Sequence, residues 1–551
     1  MTDRSTSAAL RLAASPGASR RELLLTLAGA LAATLVALAW SVQRGALLMF
    51  GDAEAHLHIA RRLFDSHRPG IAQLGSVWLP LPHLMLAPFV ACDALWRSGL
   101  AGAIPSAAEY AVGCVGIYWL ARRWLSVPAS LVALVLFGAN ANLLYLSTTA
   151  MTEPLFVAEL IWSVVLVVKW RNAVEANRIQ RANGLLWLLI AVLVAAVATR
   201  YDGWILGFLI WVAMACMLVP RKQLFRAHFI AASVVLLAAP VAWMFYNGLV
   251  FGDPLDFMRG PYSAQAIELR TAAGVFPPHP GWHNPWVALL FFVKAAEMVV
   301  GIGWWGQAIF VASVFGALWA WRTINFSAVR WTLLLWLPLP FYCYSVAYGS
   351  VPIFLPGWWP HSWYNTRYGL ELLPAIALFA GFAAEAMLRA ARRRWPSIVQ
   401  FLGALFVTAA LINALWTMRS DPVVLAEARC NHQARWAFEY QIAARLSAIH
   451  RRAPEAIFLM DTSAYPQVIP DAGLTYHQTL NESDKQYYTA ALATPQTFVS
   501  AAVAFAGDRV EHSMAAHRNQ FHPVWTFHAP GQPTATIYVC DTLAQKLGPA
   551  M

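Results

Sequence analysis

Charge is scarce in this sequence. Asp, Glu, Lys and Arg make up 12% of its 551 residues against 59% hydrophobic, a balance far outside that of soluble domains, which excludes a chain that has water as its only solvent. Cysteine is scarce as well: Cys92, Cys114, Cys216, Cys343, Cys430 and Cys540 are the only six. None stands in CxxC or another metal-type spacing, so a zinc ribbon and a dithiol redox motif are excluded. Cys430 and Cys540 share the polar C-terminal region, where either a disulfide or two separate thiols would suit the spacing. A net charge of +11 would suit a nucleic-acid binder, but the cations stand in short clusters between apolar stretches, the pattern of cytoplasmic loops; no nucleic-acid partner is expected.

What the sequence has is apolar length. Stretches able to span a bilayer, which takes roughly 20 mainly apolar residues, recur from residue 23 until about 417, and the composition turns soluble near Asp421. Arg4, Arg11, Arg20 and Arg21 precede the first stretch, whose length reads as an uncleaved signal-anchor. Because Lys and Arg at helix ends mark the cytoplasm, the clusters at Arg20–Arg21, Arg122–Arg123, Lys169–Arg181, Arg221–Arg226, Arg322–Arg330 and Arg389–Arg394 demand an even number of crossings between them. Segment 79–96, with Pro80, Pro82, Pro88, His83 and Asp93, and segment 286–302, with Lys294 and Glu297, are therefore read as surface elements. The crossings that remain are 23–42, 104–121, 129–147, 154–170, 184–199, 203–219, 228–246, 303–321, 331–348, 368–388 and 397–417, about eleven from a cytoplasmic start. Residues 1–22 are then cytoplasmic, 23–420 form the membrane domain with 43–103 as its first outer loop, and 421–551 form an outer domain.

This topology gathers the unusual polar residues on the outer face. In GDAEAHLHIARRLFDSHRPG, Asp52, Glu54, His56 and His58 open an amphipathic helix; Asp52 suits either an N-cap or a reactive carboxylate. His56 lies four residues after Asp52 and His58 four after Glu54, so each pair shares a helix face. Solvated histidines and a metal site are the two readings. Glu153 precedes Pro154 at a helix start, as a cap residue or as a second outer acid. Arg200, Tyr201 and Asp202 separate two apolar runs, where Arg200 either snorkels or lines a cavity. In GWWPHSWYNTRYGLELLP, Arg367 and Tyr368 open a crossing behind His361, Trp363 and Tyr364. An Arg at the outer end of a span opposes the charge bias of loops, and guanidinium binds phosphate bidentately, so Arg367 is a candidate for an anionic headgroup.

Together these pieces resemble the GT-C glycosyltransferases that use polyprenyl-phosphate sugars, in particular the group of protein O-mannosyltransferases (glycosyltransferase family 39) and the aminoarabinose transferase that modifies lipid A. The resemblance rests on Gly51-Asp52-Ala53-Glu54, on Trp78-Leu79-Pro80-Leu81-Pro82-His83, on Thr152-Glu153-Pro154 and on Arg367-Tyr368, over residues 20–420. Ala53 separates acids that many relatives have adjacent, and Glu153 stands where Asp is common. The resemblance implies an inner-membrane enzyme with its C-terminal domain in the periplasm. The donor would be a polyprenyl-phosphate sugar and the acceptor a lipid, glycan or protein of the envelope. Asp52 would be the general base and Glu54 would assist it. Glu153, Arg200, Asp202, His361, Tyr364, Arg367 and Tyr368 would bind substrate, configuration would invert, and a divalent metal such as Mg or Mn would be held, if at all, near His56 and His58. A flippase for lipid-linked sugars and a non-catalytic relative are the rival readings; the absence of an internal repeat weighs against the former.

The C-terminal region reads as α/β: a helix over 423–449, strands at 455–461, 498–508 and 534–540, and a short helix near 484–492. Its strands are apolar on both faces, as in a buried, partly parallel sheet, and it has no glycine-rich phosphate loop or nucleophile motif. The expected fold class is a polytopic α-helical membrane protein with a C-terminal soluble α/β domain.

Overall fold

The computed structural model describes residues 17–272, 274–323 and 329–548; Arg4 and Arg11 lie outside the described residues. The chain divides into two compact units, one of Met1–Arg44, Ser76–Pro82 and Ala103–Glu427, the other of Gly45–Gly75, His83–Gly102 and Ala428–Met551.

The first unit is helical. Among the described residues seven helices are long and apolar enough to cross a membrane: Arg20–Gln43, Leu100–Arg122, Ile179–Thr199, Tyr201–Arg221, Ala227–Phe251, Thr366–Arg394 and Pro396–Gln433; an eighth is added if Pro285–Val300 and Trp304–Thr323, bent by 107° at their junction, count as one span. The chain is thus a multi-pass membrane protein. The first helix is set by a capping box in which Ser19 and Glu22 satisfy each other's backbone N–H. Three expected crossings are not among these. The stretch 129–147 is two helices, Val127–Gly138 and Ala141–Leu146, because Asn140 turns its side chain to cap the second through the amides of Asn142 and Leu143. The stretch 331–348 is a 3-10 turn, Arg330–Trp336, followed by Pro338–Tyr348, where Pro338 and Pro340 deny donors to the helical ladder. The third, Glu153–Glu175, is continuous and mostly buried but carries Glu153, Glu159, Lys169, Arg171 and Glu175.

The second unit holds a five-stranded mixed sheet in the order β2-β1-β3-β5-β4: β1 Phe458–Met460, β2 Thr479–Leu480, β3 Ala501–Phe505, β4 Phe521–Phe527 and β5 Ala535–Cys540. Strands β2, β1 and β3 are parallel, while β5 runs antiparallel to both β3 and β4. Every residue of β1 and β3 is buried, which accounts for their lack of alternation. Ala502 and Ala504 join the core of Leu459, Tyr488, Val510, Met514 and Phe521, while Phe505 stacks on Tyr465 beside Phe438. The expected strands at 455–461, 498–508 and 534–540 are β1, β3 and β5. Strand β4 was not expected: it is an edge strand, largely exposed, with a bulge between Pro523 and Trp525, and proline weakens the strand signal there. The single helix expected over 423–449 is interrupted, giving Val423–Gln433 and Trp436–Arg452. The first loop belongs to this unit. Arg97 donates to the carbonyls of Pro470, Gly473 and Leu474, and Asp65 accepts from the amides of Tyr476 and His477. All six cysteines are free thiols.

Candidate functional site

In the first unit two guanidinium groups organise four carboxylates. Arg200 sits between two spans in extended backbone, φ −148° and ψ 154°, which ends one helix and starts the next. Its Nη2 lies 2.9 Å from Glu371 Oε1 and donates to the Tyr342 hydroxyl at 2.8 Å. Nη1 donates to Thr152 Oγ1 at 2.9 Å and lies 3.7 Å from Glu153 Oε1; Nε lies 3.5 Å from Asp202 Oδ1. Arg367 occupies the 3-10 turn Thr366–Leu372, with Nε 3.2 Å from Glu153 Oε1 and Nη1 3.0 Å from Glu427 Oε1. Glu427 also accepts from the amides of Asn365 and Arg367 and from the Thr366 hydroxyl. The Tyr368 ring lies under both cations, 5.2 Å from Arg200 and 5.0 Å from Arg367. That turn reaches its place because Gly369 rests on the Pro285–Val300 helix: a Cβ there would stand 2.6 Å from the backbone of Ala295 and Ala296.

Thus Glu153, Arg200, Asp202, Arg367 and Tyr368 converge. Arg367, with 6% of its side chain exposed, is engaged by carboxylates on two sides, whereas Arg200 keeps 16% exposed. Glu153 Oε2, Glu371 Oε2 and both Asp202 oxygens are buried without a hydrogen-bond partner among the described residues. His361 is exposed outside this network, its Nδ1 beside the Pro356 carbonyl, and Tyr364 bridges to Phe354. Sequence reasoning missed Tyr342, Glu371 and Glu427. Glu371, a carboxylate at the mouth of an apolar run, is the one of the three with a legible signal, since such groups are costly in lipid unless paired.

In the second unit the Gly51–Arg62 helix begins after Phe50, which holds the N-cap position. Asp52 is therefore inside the first turn and is not the cap; it is half-buried and, with Glu54, lies where the helix dipole favours negative charge. Glu54, 1% exposed, pairs with Arg435 Nη2 at 2.6 Å, and Arg435 Nη1 holds Glu439 at 3.0 Å. Burial, partly offset by Arg435, pushes the Glu54 carboxyl up to about 8, and burial likewise raises Glu439. His56 and His58 are not solvated: they are 3% and 2% exposed, because the helix packs that face inward. His56 Nδ1 lies 2.9 Å from His83 Nε2. His58 Nδ1 accepts from Trp96 Nε1 at 3.1 Å, which fixes the tautomer, and burial, then the Arg62 charge, pushes its pKa down to about 3. Among the described residues no three His, Cys, Asp or Glu side chains are grouped to hold a metal, so the donor set does not fit a divalent ion at His56 and His58.

No protein-family model matches the sequence, and no curated protein is significantly similar to it. Among solved structures, ArnT from Cupriavidus metallidurans bound to undecaprenyl phosphate is 14% identical, with a TM-score of 0.55 over 97% of this chain and 100% of that one. The apo state of the same protein gives 14% identity and a TM-score of 0.52 over 96% and 99%. An oligosaccharyltransferase from Archaeoglobus fulgidus gives 11% and 0.38 over 88% and 69%. Along nearly its whole length, then, the chain shares the fold of ArnT.

Proposed function

We propose that this protein is an inner-membrane glycosyltransferase that moves a sugar from a polyprenyl-phosphate donor to an envelope acceptor, with the second unit in the periplasm. The observation that carries the reading is the full-length fold shared with a protein whose structure holds undecaprenyl phosphate. Asp52 is the general base: its carboxylate takes the proton of an acceptor hydroxyl or amine as that atom bonds to the anomeric carbon. The bond from that carbon to the phosphate oxygen breaks on the opposite face, the electron pair leaves on the phosphate, and configuration inverts. Arg200, the more exposed guanidinium, stabilises the departing charge, and Arg367, fastened between Glu153 and Glu427, positions Glu153 and the turn that carries Tyr368. Glu54 acts through Arg435 to hold the helix that bears Asp52. Among the described residues no donor set fits a metal, and the mechanism uses none.

The test is transfer from radiolabelled polyprenyl-phosphate sugar to cell-extract acceptors. Asp52→Asn is expected to lower turnover by at least a hundredfold with unchanged melting, the scale of a lost general base. Near-normal turnover removes Asp52 from the mechanism. The 107° break between Pro285–Val300 and Trp304–Thr323 is the one observation that favours a transporter, in which interrupted helices are common; label that crosses vesicles without transfer would support that reading.

A further inference from the structure

We infer that two short helices after the span Ala227–Phe251, namely Asp256–Arg259 and Ala264–Ala272, anchor the chain in the plane of the membrane, with an apolar side in the boundary between phospholipid headgroups and acyl chains. The lipid-facing side of the span leads to them. Leu237, Val241, Phe245 and Leu249 recur every fourth residue and are exposed, so they form one stripe along the helix that continues to its last turn. The chain stays against the span as it leaves it. Helix Asp256–Arg259 packs on the span, with Phe257 buried beside Trp243 and stacked on Tyr201 at 5.2 Å. Met258, the next residue, is 58% exposed.

Helix Ala264–Ala272 is packed the reverse of one that faces water. Its buried side chain is Glu268, paired with buried His279 at 3.1 Å, while Ile267 and Leu269 on either side are exposed, Leu269 by 70%. A carboxylate is among the side chains least often buried, and water favours the opposite arrangement. Other polar side chains turn back onto the chain. Arg259 closes on both oxygens of Asp253, Arg270 donates to the carbonyls of Pro261 and Ala266, and the Thr271 hydroxyl donates to the Ile267 carbonyl. Such internal pairing suits surroundings poor in water. Phospholipid is the partner that fits, because the bilayer already covers the stripe on the adjoining span, and a helix lying in its surface buries an apolar side without crossing it. This anchoring is independent of the proposed transferase activity.

The test places p-benzoylphenylalanine, whose excited ketone inserts into nearby C–H bonds, at Met258 or at Leu269 of the full chain, reconstituted in vesicles of phosphatidylethanolamine and phosphatidylglycerol. After illumination, mass spectrometry should find phospholipid adducts at both positions, about tenfold more frequent than at Gln520, an exposed position of the sheet domain, with the melting temperature unchanged. Adducts at either position no more frequent than at Gln520 overturn the anchor. Cross-links that join two protein chains in place of lipid overturn it in favour of an interface between copies.

Discussion

Replacing Glu54 with Gln isolates one proton in the second unit. The folded carboxyl titrates at about 8 against an ordinary 4.5, with burial as the main cause. The folded state therefore holds a proton that the unfolded state has released, and stability falls as pH rises from 4.5 through 8. Over pH 6 to 8 the two titrations differ by about 2 kcal/mol, from about 1.4 kcal/mol for each pH unit of proton excess, levelling off near 8. Gln keeps the shape and can still accept from Arg435, but holds no titrating proton. With a Tm response of about 2–4 °C per kcal/mol for a unit of this size, the natural protein should lose roughly 4–8 °C more than Glu54→Gln between pH 6 and pH 8. The 26 tryptophans make intrinsic fluorescence a suitable readout on the full chain in detergent. Parallel melting curves for the two proteins across that interval would refute the argument, because they would show that Glu54 titrates alike folded and unfolded.

Arg435→Met removes the donor that the buried Glu54 and Glu439 carboxyls share and should cost about 1–3 kcal/mol near neutral pH, the scale of buried polar groups left unpaired, which chemical denaturation can measure. His58 works in the opposite direction to Glu54: its folded pKa of about 3 lies below the ordinary 6.5, so its stabilisation is complete above 6.5 and is lost as pH falls toward 3. His58→Gln should accordingly remove about 2 kcal/mol of the stability change between pH 7 and pH 5, read as a shallower acid limb of Tm against pH. Gly369→Ala drives a Cβ to 2.6 Å from the Ala295–Ala296 backbone and should destabilise by about 1–3 kcal/mol through overpacking; an unchanged melting temperature would show that the turn bearing Arg367 can shift freely.

The sequence by itself determined the fold class, because apolar length and clustered cations are local properties that a bilayer reads directly. It also located three of the five strands, whose runs of buried Ala, Val and Phe are unlike the surrounding chain. Asp52, Glu153, Arg200 and Arg367 stood out for the same reason: each interrupts an apolar run at its end. Only the tertiary structure decided their partners. Glu427 lies 60 positions from Arg367 along the chain, Glu371 lies far in sequence from Arg200, and Arg435 far from Glu54; no periodicity links residues so distant, since pairing across a fold is set by how helices pack. The same holds for His56 and His58. Their spacing placed them on a helix face, but whether that face met water or Trp96 and His83 depended on the first loop folding together with the sheet domain, a decision made by buried surface rather than by local pattern.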